Sequence, residues 1–470
     1  MDKPPLLFYS QALFYPLFGP VEWAARLPAL IASLLLIPLA AHLARRLGGG
    51  RLAAVIAAAV VAVAPLTVQF SATAFSDPLL TFWLMAAVVV LMPSPDPSGR
   101  EGERIPSPFG RGLGRGSWSP LWVGLCLGLA LATKYQAALF LPLLVGQAWL
   151  RGWGGREWAR GLIGLAAVVA ALLLWGVARA DGAGLVARQW ANLGGLRPAW
   201  SWELWPRLAE GARLWRLALG WPLLALGGAT VAAVALSRRA RARLGAADAL
   251  LTLFVVAYLL LHWLWAVPAW DRYLLPVLPL VAALLGRGVE AVAGLKKKVT
   301  TDYTDFTDYK TKKSVESVKS VVTSSYVLMI GLLIAVAVLH LPVAAAARAG
   351  RYPIGGQPAA DGGAALVARA LADAPYGTVL YDHWYSWHWR YQLFDRRVYV
   401  SWFPHADALL ADLAAFGQAG PARYVALPRD GTAAAIVRRL GEAGYRLMAV
   451  PSPDEAAMEL WRIESEARDE

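Results

Sequence analysis

The chain has 470 residues, is 58% hydrophobic and carries a formal net charge of +13. A mean hydropathy of +0.47 is more apolar surface than a soluble domain can hide, so lipid takes part of it. The charge does not point to nucleic acid, because the basic residues sit in short loops between apolar runs, where they set topology and meet anionic headgroups. A single cysteine, Cys126 inside an apolar run, excludes a disulfide framework and a Cys-based metal site.

Residues 1–23 precede the first apolar run and hold Met1-Asp2-Lys3-Pro4-Pro5-Leu6. About ten spans follow, each near the length that crosses a bilayer or shorter where the bundle buries it. They run Ala24–Leu43, Leu52–Phe70, Leu79–Met92, Leu121–Thr133, Ala137–Leu150, Leu162–Ala178, Leu217–Leu236, Leu250–Ala266, Leu274–Val292 and Tyr326–Ala346. The gaps alternate. Arg45-Arg46, Arg100 to Arg115, Arg151 to Arg160, Arg238 to Arg243 and Lys296 to Lys298 fall in one set. Asp77, Lys134, the 179–216 loop and Asp271-Arg272-Tyr273 fall in the other. The positive-inside rule makes the first set cytoplasmic and puts the second on the outer face, together with the chain after about residue 347.

Two stretches read as cytoplasmic insertions within the 24–346 bundle. Residues 93–117 are rich in Pro, Gly, Ser and Arg, and 296–325 contain short Thr-Asp-aromatic repeats. Neither has an apolar period, and disorder is expected of both. Residues 347–470 are mixed and charged. Helix-like Gly363–Asp373 and Thr432–Ala443 alternate with strand-like Thr378–Tyr381, Arg423–Leu427, Tyr445–Val450 and Met458–Ile463. The fold class is therefore a polytopic α-helical membrane protein with a small C-terminal extracytoplasmic α/β domain. The location follows as multi-pass in a plasma (inner) membrane.

Candidate chemistry gathers on the outer side. Asp77 precedes Pro78 at the start of a span, where a carboxylate either caps the helix or binds a cation or substrate hydroxyl. Lys3 beside a rigid Pro-Pro suits a phosphate as a point charge, and Lys134 suits a lipid phosphate or snorkels. Arg272 offers a planar fork for phosphate oxygens, with Asp271 as its partner. His262, inside a span, reads as a core hydrogen bonder. Asp382-His383-Trp384-Tyr385-Ser386-Trp387-His388-Trp389-Arg390 is an aromatic run that either stacks on a sugar or packs inward, and its His spacing makes a poor metal pair.

These segments, in this order, resemble the C-type, lipid-dependent glycosyltransferases, the group of protein O-mannosyltransferases and the bacterial aminoarabinose transferase. The resemblance rests on Lys3-Pro4-Pro5-Leu6, Phe18-Gly19, Trp23-Ala24-Ala25-Arg26-Leu27-Pro28, Ala44-Arg45-Arg46-Leu47, Asp77-Pro78-Leu79, Ala132-Thr133-Lys134 and Arg272-Tyr273-Leu274-Leu275-Pro276. It implies transfer of a sugar from a polyprenyl-phosphate donor at the outer leaflet to a lipid, glycan or protein acceptor, with no nucleic acid involved. It implies Asp77 as the catalytic carboxylate, Lys3, Lys134 and Arg272 at the donor phosphate, and Asp2, Asp271 and Tyr273 near substrate. Some relatives use a divalent cation between outer-loop carboxylates. One confident carboxylate here predicts no metal site and no certain cofactor. A transporter or flippase of a lipid-linked sugar, or a non-catalytic truncated homologue, are the competing readings. The first needs mid-span polar groups and duplicated halves, of which the sequence has little beyond His262.

Relatives of this type begin with a further helix and an outer acidic loop ahead of the Lys-Pro-Pro segment. Either the start lies upstream of Met1 or the usual base is absent. Mass spectrometry of the native N-terminus checks this: upstream peptides carrying a helix and an acidic outer loop mean an intact enzyme, and a terminus at Met1 leaves catalysis to Asp77 or Asp2, or makes the protein inactive.

Overall fold

A computed structural model describes residues 4–92, 118–178, 197–267, 270–293, 331, 334–335, 337–346, 351–354, 363–416 and 421–465. The two expected insertions and the candidates Asp2 and Lys3 lie outside them. The chain divides into two units, Met1–Gly356 and Gln357–Glu470.

The first unit is a helical bundle. Glu22–Arg46 packs against Arg51–Val63, Asp77–Leu91 and Leu278–Ala293, and Ser119–Thr133 packs between Asp77–Leu91 and Gly155–Ala178. Helix overlaps each expected span among the described residues, but it ends at Leu264 where Ala266 was expected and begins at Leu278 after a 3-10 turn where Leu274 was expected, and the helices are uneven. Four are long and apolar enough to cross a membrane by length and composition, and a bent pair, Arg51–Val63 with Pro65–Ser71, makes a fifth. The bend of 57° falls at Ala64-Pro65, where the proline has no N–H to give the preceding turn. Asp77–Leu91, Ser119–Thr133 and Tyr135–Leu150 are shorter. Their apolar side chains form one continuous core, from Leu36 through Leu84 and Phe140 to Leu280.

The expected outer loop 179–216 is corrected at its C-terminal half, where a helix runs Ser201–Leu236. Its start is fixed by charge. Glu203 accepts the Trp200 backbone N–H at 2.7 Å and holds Arg197 through two oxygens, which satisfies a donor that the first helical turn leaves open. At Gly220 the backbone switches to φ 74°, ψ 159° and breaks the helix, a conformation open to glycine and strained for other residues. Trp200, Trp202 and Trp205 stay exposed along the segment before the break.

The bundle separates its charges. Asp77–Leu91 is about 22 Å long, with Asp77 at one end and two arginines at the other. Arg46 donates to the Met92 carbonyl at 2.6 Å and Arg151 to that of Leu91, both among the carbonyls that a helix C-terminus leaves unpaired. Arg243 treats Ala291 in the same way, at 2.6 Å. Arg287, itself buried, bridges Asp248 at 3.2 Å.

The second unit is an α/β domain. Its sheet has the order β2-β1-β3-β5-β4, with β1 Thr378–Asp382, β2 Val398–Trp402, β3 Arg423–Pro428, β4 Tyr445–Val450 and β5 Met458–Ser465. β1 pairs in parallel with both β2 and β3, while β5 runs antiparallel to β3 and β4. Helices cover both faces. Trp389 and Leu371 pack with Leu380 and Leu460 on one, and Leu409 and Leu440 pack with Val425 and Ile463 on the other. The strands read from the sequence stand nearly as bounded. β2 and the helices Ser386–Gln392 and Ala406–Phe416 were not anticipated.

Backbone contact between Ser119–Thr133 and Gly155–Ala178 depends on two glycines. A Cβ on Gly124 would fall 1.9 Å from the Gly161 carbonyl, and one on Gly164 would fall 2.3 Å from that of Leu121. Small residues at facing positions allow such an approach. Gly164→Leu is therefore expected to separate the helices at a cost of about 1–3 kcal/mol or more, read as a lower melting temperature of the detergent-purified protein. Gly176→Leu, which meets nothing within 4 Å, leaves it unchanged.

Candidate functional site

At the end of the bundle opposite Arg46 and Arg151, three segments converge: the start of Asp77–Leu91, the turn after Ser119–Thr133, and the Asp271–Leu274 3-10 turn. Asp77 is 1% exposed. Of the two readings of Asp-Pro, the cap is not observed: no side chain caps this helix start. The carboxylate instead accepts a hydrogen bond from Lys134 Nζ at 2.6 Å, across 57 residues of sequence. Two forces hold it there. The helix N-terminus favours negative charge, and an ammonium at contact distance offsets the desolvation of a buried carboxylate.

Lys134 reaches this position because the chain turns from helix to extended backbone at that residue, with φ −164° and ψ 134°. Its ammonium also lies 4.8 Å from the centroid of the Tyr273 ring. Arg272 shares that ring, with its guanidinium carbon 5.9 Å from the centroid, and lies 5.1 Å and 5.6 Å from Trp270 and Phe75. Aromatic faces attract a guanidinium and replace part of its hydration. Its Nε is buried with no hydrogen-bond partner among the described residues. Asp271 begins the turn, accepting the Arg272 backbone N–H at 2.7 Å.

Four of the expected site residues are thus brought together: Asp77, Lys134, Arg272 and Tyr273. Asp271 shapes the turn that presents them. What the sequence did not disclose is the buried support. Tyr258 donates to the Tyr273 carbonyl at 2.9 Å and accepts from Gln136 Nε2 at 2.6 Å. A tyrosine in an apolar helix, needing a partner for its hydroxyl, was the available signal. His262 is a core hydrogen bonder, with Nδ1 2.8 Å from the Tyr258 carbonyl. Arg207 gathers the carbonyls of His262, Trp263, Trp265 and Val267, which end the Ala246–Leu264 helix ahead of the Arg272 turn.

In the second unit the aromatic run divides. Trp389 is fully buried and donates Nε1 to Asp382 at 3.1 Å, and Asp382 also accepts the Tyr385 backbone N–H at 2.8 Å. Packing therefore accounts for that tryptophan. His383 stacks on Trp402, with ring centroids 6.0 Å apart. Burial raises the Tyr381 phenol above its ordinary pKa. Among the described residues, no group of three or more His, Cys, Asp or Glu is placed to hold a metal ion.

Lys134→Met strands the Asp77 carboxylate at 1% exposure, and is expected to cost about 3–5 kcal/mol. The double variant Asp77→Asn/Lys134→Met recovers most of that loss, as measured by thermal unfolding in detergent.

Comparison with known proteins adds to this geometry. A family model described as dolichyl-phosphate-mannose-protein mannosyltransferase matches residues 2–94. The undecaprenyl phosphate-alpha-4-amino-4-deoxy-L-arabinose arabinosyl transferase of Pseudomonas aeruginosa is 32% identical over 37% of this chain, and that of Edwardsiella ictaluri is 30% identical over 32%. The matches span only 29% and 25% of those relatives' own lengths. Among solved structures, ArnT from Cupriavidus metallidurans bound to undecaprenyl phosphate superposes with a TM-score of 0.65, covering 98% of this chain and 88% of that one at 16% identity. The chain resembles the C-type, lipid-dependent membrane glycosyltransferases, in sequence near its N-terminus and in fold over nearly its whole length.

Proposed function

We propose that this protein transfers a sugar from a polyprenyl-phosphate donor to an acceptor at the outer face of the plasma membrane. The observation that carries this reading is the pairing of two cations, Lys134 and Arg272, on one aromatic ring at the bundle end away from the basic loops. A bundle sharing its fold binds undecaprenyl phosphate, and relatives matching 37% of the chain are named as undecaprenyl phosphate-aminoarabinose arabinosyl transferases.

In the reaction, an acceptor hydroxyl oxygen bonds to the anomeric carbon while the bond from that carbon to the phosphate oxygen breaks. The electron pair leaves with the lipid phosphate, and the hydroxyl proton passes to a base. Negative charge grows on the phosphate in the transition state, and fixed cations at low dielectric stabilise it most. Arg272 and Lys134 supply that charge, and Lys3 adds to it. Asp77 stays paired with Lys134, which favours an orienting role for it beside donor or acceptor. Asp271 and Tyr273 form the turn that aims Arg272, and Asp2, the residue before Lys3 in the sequence, is assigned to substrate by the resemblance alone.

The positive-inside rule gives the orientation, with Arg46, Arg151 and Arg243 cytoplasmic and the bundle crossing about ten times. The 357–470 domain then lies outside the cytoplasm. The acceptor is a lipid, glycan or protein surface presented there. The sugar falls in the hexose or pentose class.

Asp77→Asn and Arg272→Ala, each made in the full-length gene, are expected to lower sugar transfer at least a hundredfold, since each loss removes transition-state charge or its alignment. Both variants still insert in the membrane. Transfer of radiolabelled sugar in right-side-out vesicles measures this, and full activity in both variants removes the site assignment. Donor binding without transfer in the wild type instead makes the protein a lipid-sugar binder.

A further inference from the structure

Two segments of the site come from distant parts of the sequence, and one buried hydroxyl joins them. Tyr258 lies in the Ala246–Leu264 helix and is 3% exposed. Its ring packs against Phe140, with centroids 5.9 Å apart, against Phe254 at 6.1 Å, and against His262 at 4.4 Å. That packing leaves the hydroxyl one direction. It receives a hydrogen bond from Gln136 at 2.6 Å and gives its own to the Tyr273 carbonyl at 2.9 Å. Gln136 is two residues after Lys134, and Tyr273 is next to Arg272. The hydroxyl therefore spans the two segments that carry the cations, and the cations themselves share the Tyr273 ring.

We infer that Tyr258 is a positioning residue, whose hydroxyl clamps the Lys134 segment to the Arg272 turn and so fixes the spacing at which both cations grip one anionic phosphate. Two like charges repel, and each rides on a short connecting segment, Lys134 on one extended residue between helices and Arg272 in a single 3-10 turn. Aromatic contact alone permits sliding along the ring. A bifunctional hydroxyl, donor to one side and acceptor to the other, fixes the distance because both hydrogen bonds are directional. Buried in an apolar helix, it has no water to exchange for either partner. The inference rests on the proposed reading of Lys134 and Arg272 as phosphate-binding groups.

The test uses the full-length protein in detergent. Tyr258→Phe keeps the ring and its packing and removes both hydrogen bonds. Gln136→Leu removes one of them from the other side. Binding of undecaprenyl phosphate and steady-state transfer are measured for the wild type, both single variants and the double variant. Each single variant is expected to bind undecaprenyl phosphate about tenfold more weakly and to turn over about ten- to a hundredfold more slowly, with the acceptor KM unchanged. A purely structural role would lower the folded fraction and the melting temperature but not the affinity of the protein that remains folded. The double variant is expected to be no worse than Tyr258→Phe, because both changes break one clamp.

Wild-type affinity in Tyr258→Phe, or losses that multiply in the double variant, overturns the inference while leaving the phosphate site standing. A wild type that binds undecaprenyl phosphate but does not transfer removes the enzymatic reading and leaves the clamp to be judged on affinity alone. A wild type that does neither removes both.

Discussion

A charge at the edge of an apolar bundle must be paid for in contacts, and the pair formed by Asp77 and Lys134 is where this molecule settles that demand. The carboxylate is almost wholly enclosed, the ammonium about one-fifth exposed. Each would be costly to bury there alone, because desolvation of an ion costs several kcal/mol. Held 2.6 Å apart, they fix the turn after Ser119–Thr133 against the start of Asp77–Leu91. The ammonium's remaining face is turned to Tyr273. The third segment then has a surface to dock on. Remove the pair and the segments lose both their charge balance and their common reference point.

Much of this was legible in the residues. The alternation of arginine-rich and arginine-poor gaps separates two populations, and the bundle keeps Arg46 and Arg151 on the carbonyls at the terminus of Asp77–Leu91 far from Asp77. Asp77, Lys134, Arg272 and Tyr273 stood out as ionisable or aromatic groups at span boundaries, and they meet. What could not be read was how they meet. A sequence gives no sign that Asp77 faces a lysine 57 positions away instead of its own backbone, since both solutions satisfy the carboxylate. Gln136 and Tyr258 were invisible for a related reason: within an apolar run, a lone polar side chain looks the same whether it meets a neighbour or merely tolerates its surroundings.

The same limit explains the helical start at Ser201. Tryptophans, a proline and paired charges read as a loop, whereas the arrangement of Arg197, Glu203 and the Trp200 amide turns them into a capped helix. In the α/β domain the buried strands announced themselves by continuous apolar runs. The edge strand β2, with Tyr399 and Trp402 exposed, carries a weaker pattern because one of its sides has no neighbour. The aromatic run beginning at Asp382 held both of its readings until burial divided it. Trp389 went to the core, and its indole nitrogen found the carboxylate that ends β1.

The break at Gly220 bears on how the molecule is made. The Leu219 carbonyl, next to that break, is met by the ring of His340, with Nε2 3.0 Å away and 121 residues later in the chain. A Cβ at position 220 would fall 2.9 Å from the same nitrogen, so the glycine leaves room for the imidazole. During synthesis the kink emerges long before the residue that braces it. Until the helix Ala337–Ala346 is in place, the Leu219 carbonyl lacks its imidazole partner, so this brace forms only after nearly all of the first unit has left the ribosome.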